Sequence, residues 1–476
     1  MSFETIELKE LLTEKGYLRG PFGSALKRTE LKTSGIPVYE QQHAITGTRS
    51  FRYYIDDEKY QTLKRFAVAE NDLIISCSGT VGRISIIDSS DPKGIISQAL
   101  LILRPNIDKI TPHFLYYFLT SHKGQREILN AAQGAVQLNI APRAVVEKIP
   151  VPVPPRDKQD CIVDILKGID DKIEINTKIS KSLEQMAQIL FKSWFVNFEP
   201  VQAKVAVLNA GGSQKEATSA AMMAISGKNA DLLEIFEREN PVQYAKLKAV
   251  AELFPTAMQE SELGDIPAGW QHSDLSKLAL LNASSWSKKN APESLRYVDL
   301  ANTKWGTIHS TEEYLFSDAP SRARRILKAG DTIIGTVRPG NGSYAFIAED
   351  NLTGSTGFAV LTPKKPHYST FIYICATSGE NIDRLTHLAD GGAYPAVNAD
   401  VVLASPCIIP TEYNDIENLI SAFHRYVKSS FDYKNNISLQ SKKLEELRSI
   451  LLPKLLSDEI DLSNLISPSN AIMEGV

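Results

Sequence analysis

The chain has 476 residues, 43% of them apolar and 23% charged, with a formal net charge of −4; this is an ordinary globular composition with room for about three domains. The slight acidity argues against a general polyanion binder, although nine Lys or Arg face five Asp or Glu between Arg19 and Arg65. Four scattered cysteines without a C-x-x-C pair argue against structural zinc and a disulfide framework; the absence of a signal-like start and of any run near ~20 apolar residues argues for a cytoplasmic protein with no membrane span.

Residues 1–155 read as short strands broken by turns. Segments 66–76, 84–87 and 98–103 are rich in Val, Ile and Leu and bounded by Gly, Asp, Ser and Pro. Helices are predicted at 112–119, with Pro112 in its first turn, and at 124–132. The Pro-rich run 149–155 predicts an extended exit, because proline suits neither helix nor central strand. From 156 to about 194 the pattern becomes one long helix. Ile162, Leu166, Ile169, Ile173, Asn176, Ser180, Leu183, Ala187, Leu190 and Trp194 recur at alternating four- and three-residue steps, the seam of a coiled coil. Asn176 and Ser180 make the seam polar midway.

Residues 199–267 predict a connector of short helices on a mobile linker, with amphipathic pieces at 230–239 and 241–254. Residues 268–410 return to the strand-rich pattern. A second long helix follows at 411–457, within a segment reaching 462, with Ile416, Ile420, Phe423, Val427, Ile437, Leu444 and Leu451 on one stripe and polar Ser430 and Lys434 midway. Residues 463–476 predict a frayed tail. The simplest burial places one stripe against the other within the chain; the alternative is a parallel homodimeric zipper.

The second half repeats the first. Asp72 is echoed by Asp331, Gly82 by Gly342, Gly134-Ala135 with Asn139 by Gly392-Ala393 with Asn398, Pro150 by Pro406, and Leu183 and Leu190 by Leu444 and Leu451. So long a period excludes solenoids and propellers, whose repeats run about 20–50 residues. A duplicated module presents two equivalent surfaces, suited to something extended or two-fold. The fold class this predicts is α+β: two similar strand-rich domains separated by an antiparallel pair of long helices, with a pseudo-two-fold internal repeat.

No phosphate-binding G-x-x-x-x-G-K-[ST] loop, H-E-x-x-H zinc motif or Asn-Pro-Pro-Tyr methyltransferase tetrapeptide occurs, so no catalytic residue is assigned. The distinctive segments lie elsewhere. Phe191-Lys192-Ser193-Trp194-Phe195-Val196-Asn197-Phe198-Glu199-Pro200-Val201-Gln202-Ala203-Lys204 closes the first long helix, and Leu263-Gly264-Asp265-Ile266-Pro267-Ala268-Gly269-Trp270 opens the second repeat. With the Pro-rich exits before each helix, they resemble the signature segments of the specificity subunit of type I restriction-modification enzymes. The second segment has no counterpart before the first repeat.

The resemblance implies target recognition domains at 1–155 and 268–410, spacer helices at 156–198 and 411–462, and reading of one half of a bipartite, asymmetric double-stranded DNA site by each domain. It implies docking of two methylation subunits for adenine-N6 methylation and of two restriction subunits for ATP-dependent cleavage. S-adenosylmethionine, ATP and Mg²⁺ would then belong to the partners, and this chain would be non-catalytic. A scaffold that joins subunits without reading sequence is the alternative, and an enzyme in its own right a third. For base and phosphate contact the loops offer Arg19, Ser24, Lys27, Gln41, Gln42, His43, Ser78 and Thr80 in the first module, and Lys288, Lys289, Lys304, Arg338, Asn341, Ser343 and Tyr394 in the second. The glycines of 78–82 and 338–342 also suit plain hairpins. Helix-spacer and partner contacts are assigned to Ile169, Ile173, Asn176, Leu183, Leu190, Trp194, Phe195, Phe423, Ile437, Leu444 and Leu451.

Overall fold

The computed structural model describes residues 3–22, 25–130, 139–140, 142–392, 394–462 and 465. The chain divides into two compact units, residues 1–176 with 440–476, and residues 177–439.

In the first unit a four-stranded antiparallel sheet has the order Leu12–Arg19, Leu100–Pro105, Leu73–Ser76, Ile84–Ile86. Its central strands are buried on both faces, which explains their unbroken apolar runs. A smaller sheet sets Ile36–Tyr39 between Tyr54–Ile55 and, in parallel, Ile95–Ile96. Glu4–Glu7 pairs with Pro150–Val153, so the Pro-rich exit is a strand in a two-stranded ribbon, where missing N–H groups cost little. The predicted strand over 66–76 is shorter; Lys64–Phe66 is a turn of 3₁₀ helix and only Leu73–Ser76 joins the sheet. Helices run over Pro112–Thr120 and His122–Asn130.

The second unit repeats this plan. Its four-stranded sheet has the equivalent order Ala279–Leu281, Phe358–Pro363, Thr332–Gly335, Tyr344–Phe346, and Trp270–Asp274 pairs with Pro406–Pro410. The second sheet keeps the parallel pair, Ser294–Val298 with Leu352–Ser355, and adds Ala323–Leu327. In the first module the corresponding edge is a single bridge, Ala67 to Ile95.

Two long helices, Arg156–Phe195 and Tyr413–Leu456, each contribute one part to each unit. Within the first unit, Lys158 pairs with Asp458, Asp170 with Arg448, and Asn176 with Gln440 and Ser441. Within the second, Glu184 pairs with Lys434 and Phe191 packs on Phe423. Numbers rise on one helix as they fall on the other: the pairing is antiparallel and internal. Ile162, Leu166, Ile169, Ala187 and Trp194 are buried, as are Ile420, Phe423, Val427 and Ile437, whereas Ile173, Leu183, Leu190, Leu444 and Leu451 are half-buried. Of the polar seam positions, Asn176 and Lys434 meet polar partners on the facing helix, which satisfies groups that would otherwise be buried at a cost.

The connector departs from the expectation of a mobile linker. Helices Glu199–Asn209, Gln214–Ser226, Ala230–Glu239 and Pro241–Glu252 share a core with the end of the first long helix. Trp194 meets Phe254 edge-on at 5.2 Å, and buried Lys204 donates to the Phe254 carbonyl at 2.5 Å. The fourteen-residue signature segment is this corner. Phe198 takes a left-handed φ of 55° and packs on Trp270 while Glu199 accepts from Ser193 Oγ, turning the chain into the next helix. Packing overrode composition here, because Ala-rich faces lie close against bulky aromatic neighbours.

Candidate nucleic-acid interface

In the first module the turn 78–82 joins Leu73–Ser76 to Ile84–Ile86. Ser76 Oγ donates to the Thr80 carbonyl and accepts from Arg83 N–H, closing the turn. Gly82 has φ 82°, and a Cβ there would lie 3.0 Å from Ile128, so this glycine is required by both backbone and space. Gln41, in helix Gln41–Thr46, donates to the Ser78 carbonyl at 2.6 Å, and Ser78 Oγ donates to Asn139 Oδ1 at 2.7 Å. Gln41, Ser78 and Asn139 thus form one cluster, with exposed Thr80 at the tip and exposed Gln42 on the helix beside Gln41.

His43 does not belong to that surface. It is fully buried: Nδ1 accepts from Glu40 N–H at 2.7 Å, Nε2 lies 3.0 Å from the Ser50 carbonyl, and the ring stacks on Phe51. It braces the 40–50 loop. Arg19 ends its strand half-buried, its guanidinium 5.6 Å from the ring of exposed Phe22. Exposed Lys27 caps a 3₁₀ turn. Ser24 lies outside the described residues, as do Gln133-Gly134, Ala135 and Ala393.

The second module builds the equivalent turn from different residues. Arg338 adopts a left-handed φ of 48°, its N–H donating to the Pro395 carbonyl at 2.7 Å and its guanidinium lying 4.7 Å from the ring of Tyr394, which is 72% exposed. Lys304 Nζ donates to Ser343 Oγ at 2.9 Å and to the Asn341 carbonyl at 3.3 Å. Ser343 is buried, donating onward to the Leu300 carbonyl, so it positions Lys304 rather than facing solvent. Trp305, absent from the sequence-based candidates, is 60% exposed and covers Gly342, where a Cβ would sit 2.5 Å from the indole. An aromatic residue in Lys304-Trp305-Gly306 was the available signal. Lys288 and Lys289 stand apart, exposed in a turn that leads from Trp286, whose N–H is held by the Arg324 carbonyl.

The frame under both turns is the same. Ser78 bridges Asn139 in one module and Val337 bridges Ala396 in the other. The structural counterpart of Asn139 is therefore Ala396, not Asn398, which precedes the short helix Ala399–Leu403 as Pro142 precedes Arg143–Val146. Asp72 and Asp331 each accept an N–H three residues back, from Ala69 and Lys328. Burial pushes the Asp72 carboxyl up, opposed by a two-pronged Arg104 ion pair at 2.7 Å; burial also pushes Asp331 up, where no guanidinium compensates.

Residues 3–185 match the family model described as the type I restriction modification DNA specificity domain. A HindI specificity subunit from Haemophilus influenzae is 28% identical over 394 residues, 80% of this chain and 84% of that one. The chain is similar to the type I restriction-modification specificity subunits. The MjaIX specificity subunit of Methanocaldococcus jannaschii is 25% identical over 42% of this chain and 48% of its own. A solved type I S subunit from M. genitalium is 12% identical, covers 96% of each chain and superposes with a TM-score of 0.49. The matched family model is that of a DNA specificity domain, and the surfaces around the two turns are the candidate site. Among the described residues no group of three or more His, Cys, Asp or Glu is arranged to hold a metal, and no helix is long and apolar enough to cross a membrane.

Proposed function

We propose that this chain is a non-catalytic DNA-reading subunit whose two modules each recognise one half of a bipartite, asymmetric site. One observation carries the reading: two turns built on one hydrogen-bonded frame present different chemistry. Gln41, Gln42, Ser78, Thr80 and Asn139 surround the first, and Lys304, Trp305, Arg338, Asn341 and Tyr394 the second. Amide and hydroxyl groups suit adenine and mixed edges in the major groove, and Arg or Lys suits guanine, so the two modules would prefer different sequences. Arg19, Lys27, Lys288 and Lys289 are suited to phosphate contacts.

The paired helices space the two reading heads and dock two methylation subunits, which hold S-adenosylmethionine and methylate adenine N6. Two restriction subunits with ATP and Mg²⁺ complete the cleaving complex in the cytoplasm. Supporting this, Met186 and Ile189 on the first long helix and Val196 just past its end form an exposed apolar stripe, beside a cavity of about 850 Å³ lined by Ile189, Val196, Ile374 and Ile408. Such a stripe is suited to a protein partner. The test is to exchange residues 1–150 for the corresponding module of another specificity subunit and map methylation by the reconstituted complex. One changed half-site supports reading; an unchanged DNA preference with intact assembly points to a scaffold that does not read sequence.

A further inference from the structure

The connector helices carry a second surface, distinct from the turns and from the apolar stripe of the first long helix. Gln214–Ser226 and Pro241–Glu252 wall a cavity of about 1030 Å³ that reaches the start of the second long helix, all within residues 177–439. Its apolar lining includes Ile225, Phe236, Leu247, Val250 and Leu253. A void this size exceeds a packing defect and matches the upper range of binding clefts. Its walls are anchored, because the same helices bury Met222, Leu247 and Ala251 in the core around Trp194.

The charge around this cavity has one sign. Lys228, Lys246 and Arg425 come from a loop, a connector helix and the second long helix, and no Asp or Glu lines the space. Lys228 is held 5.0 Å over the Phe236 ring, and Lys246 and Arg425 are exposed. The neighbouring carboxylate Glu237 is engaged by the Tyr244 hydroxyl. In a chain with more acidic than basic residues overall, three cations around an apolar floor form a local departure. Nucleic acid would find few polar edges to meet on such a floor. An amphipathic helix meets both features, laying apolar side chains at i, i+3, i+4 and i+7 on the floor and acidic side chains against the rim.

We propose that this groove docks an acidic amphipathic helix of a partner protein. Leu232 and Ile235, both exposed on the adjoining helix Ala230–Glu239, extend the apolar track beyond the cavity. Lys246 and Arg425 supply long-range attraction and orientation, and the floor supplies the contact area.

The test uses the full chain and a fluorescein-labelled helical peptide carrying Leu at those four positions with Glu on both flanks. A matched peptide with Lys in place of Glu and a random-sequence DNA duplex serve as comparison probes, with anisotropy as the readout. Saturable binding of the acidic but not of the Lys-substituted peptide is expected, weakened about tenfold by Lys246→Glu with Arg425→Glu, the loss of close ionic contacts. Binding of the duplex should stay within twofold or so in that variant. Circular dichroism controls for folding, and Lys246→Gln, at an exposed position, gives a milder version of the same comparison. Equal binding of both peptides, no binding of the acidic one, or loss of duplex binding instead of peptide binding would overturn the proposal; the last result would make the rim a phosphate contact.

Discussion

Glu184 on the first long helix accepts from Lys434 Nζ on the second at 2.6 Å, while its other oxygen accepts the fully buried Tyr373 hydroxyl, also at 2.6 Å. One carboxylate therefore ties both helices to the helix Ser369–Ala376. Glu184→Ala leaves a cation and a phenol without their acceptor. Breaking such a partly buried pair costs about 3 kcal/mol, and Glu184→Gln costs less because the amide oxygen still accepts one bond. Chemical denaturation of the three proteins should give that order; equal midpoints would show the contact to be incidental.

Asp331 predicts a pH dependence. Burial raises its folded-state pKa, so the folded protein holds a proton that the unfolded chain has already released at the same pH. Stability is thus highest below the usual carboxylate range and falls as pH rises through the folded-state value. Asp331→Asn can still accept the Lys328 N–H, removes that fall, and leaves the protein at least as stable at neutral pH. Denaturation midpoints across pH 4 to 8 check this. A steeper fall in the variant would contradict it.

Trp305 over Gly342 predicts a specific defect in the second module. Gly342→Ala places a methyl group within 2.5 Å of the indole at a φ of 68°. The left-handed backbone alone costs about 1–2 kcal/mol. The turn carrying Arg338 and Asn341 should shift, degrading the second half-site while the first is kept. Trp305→Ala keeps the left-handed φ of 47° already present at that position, adds no clash at Gly342, and should weaken the same half-site. Methylation of site libraries distinguishes these results from a uniform loss.

Helix length predicts site spacing. Four residues inserted into both long helices lengthen them by ~6 Å. If the helices set the gap, the preferred separation of half-sites grows by about two base pairs, at ~3.4 Å each. An unchanged gap removes that role from the helices.

Much of this was readable along the chain. The seam from Ile162 to Trp194 and the stripe from Ile416 to Leu451 follow from helical periodicity, a local property, and both helices end within two residues of their predicted limits. The duplication showed because Asp72 and Asp331 close the same tight turn in each module. The loops were less legible. His43 has the composition of a surface residue and is wholly enclosed, and the partner of Ser78 lies 61 residues away.

Local spacing thus determined the two-fold plan, the long helices and the signature corner, since each depends on residues a few positions apart. Only the tertiary structure decided that the helices pair internally and antiparallel, that the connector packs, and which side chains stand at the tips of the turns. Those outcomes rest on contacts between distant segments, such as Lys304 with Ser343 or Asn176 with Gln440, whose free energy appears only once the chain has closed the intervening loops.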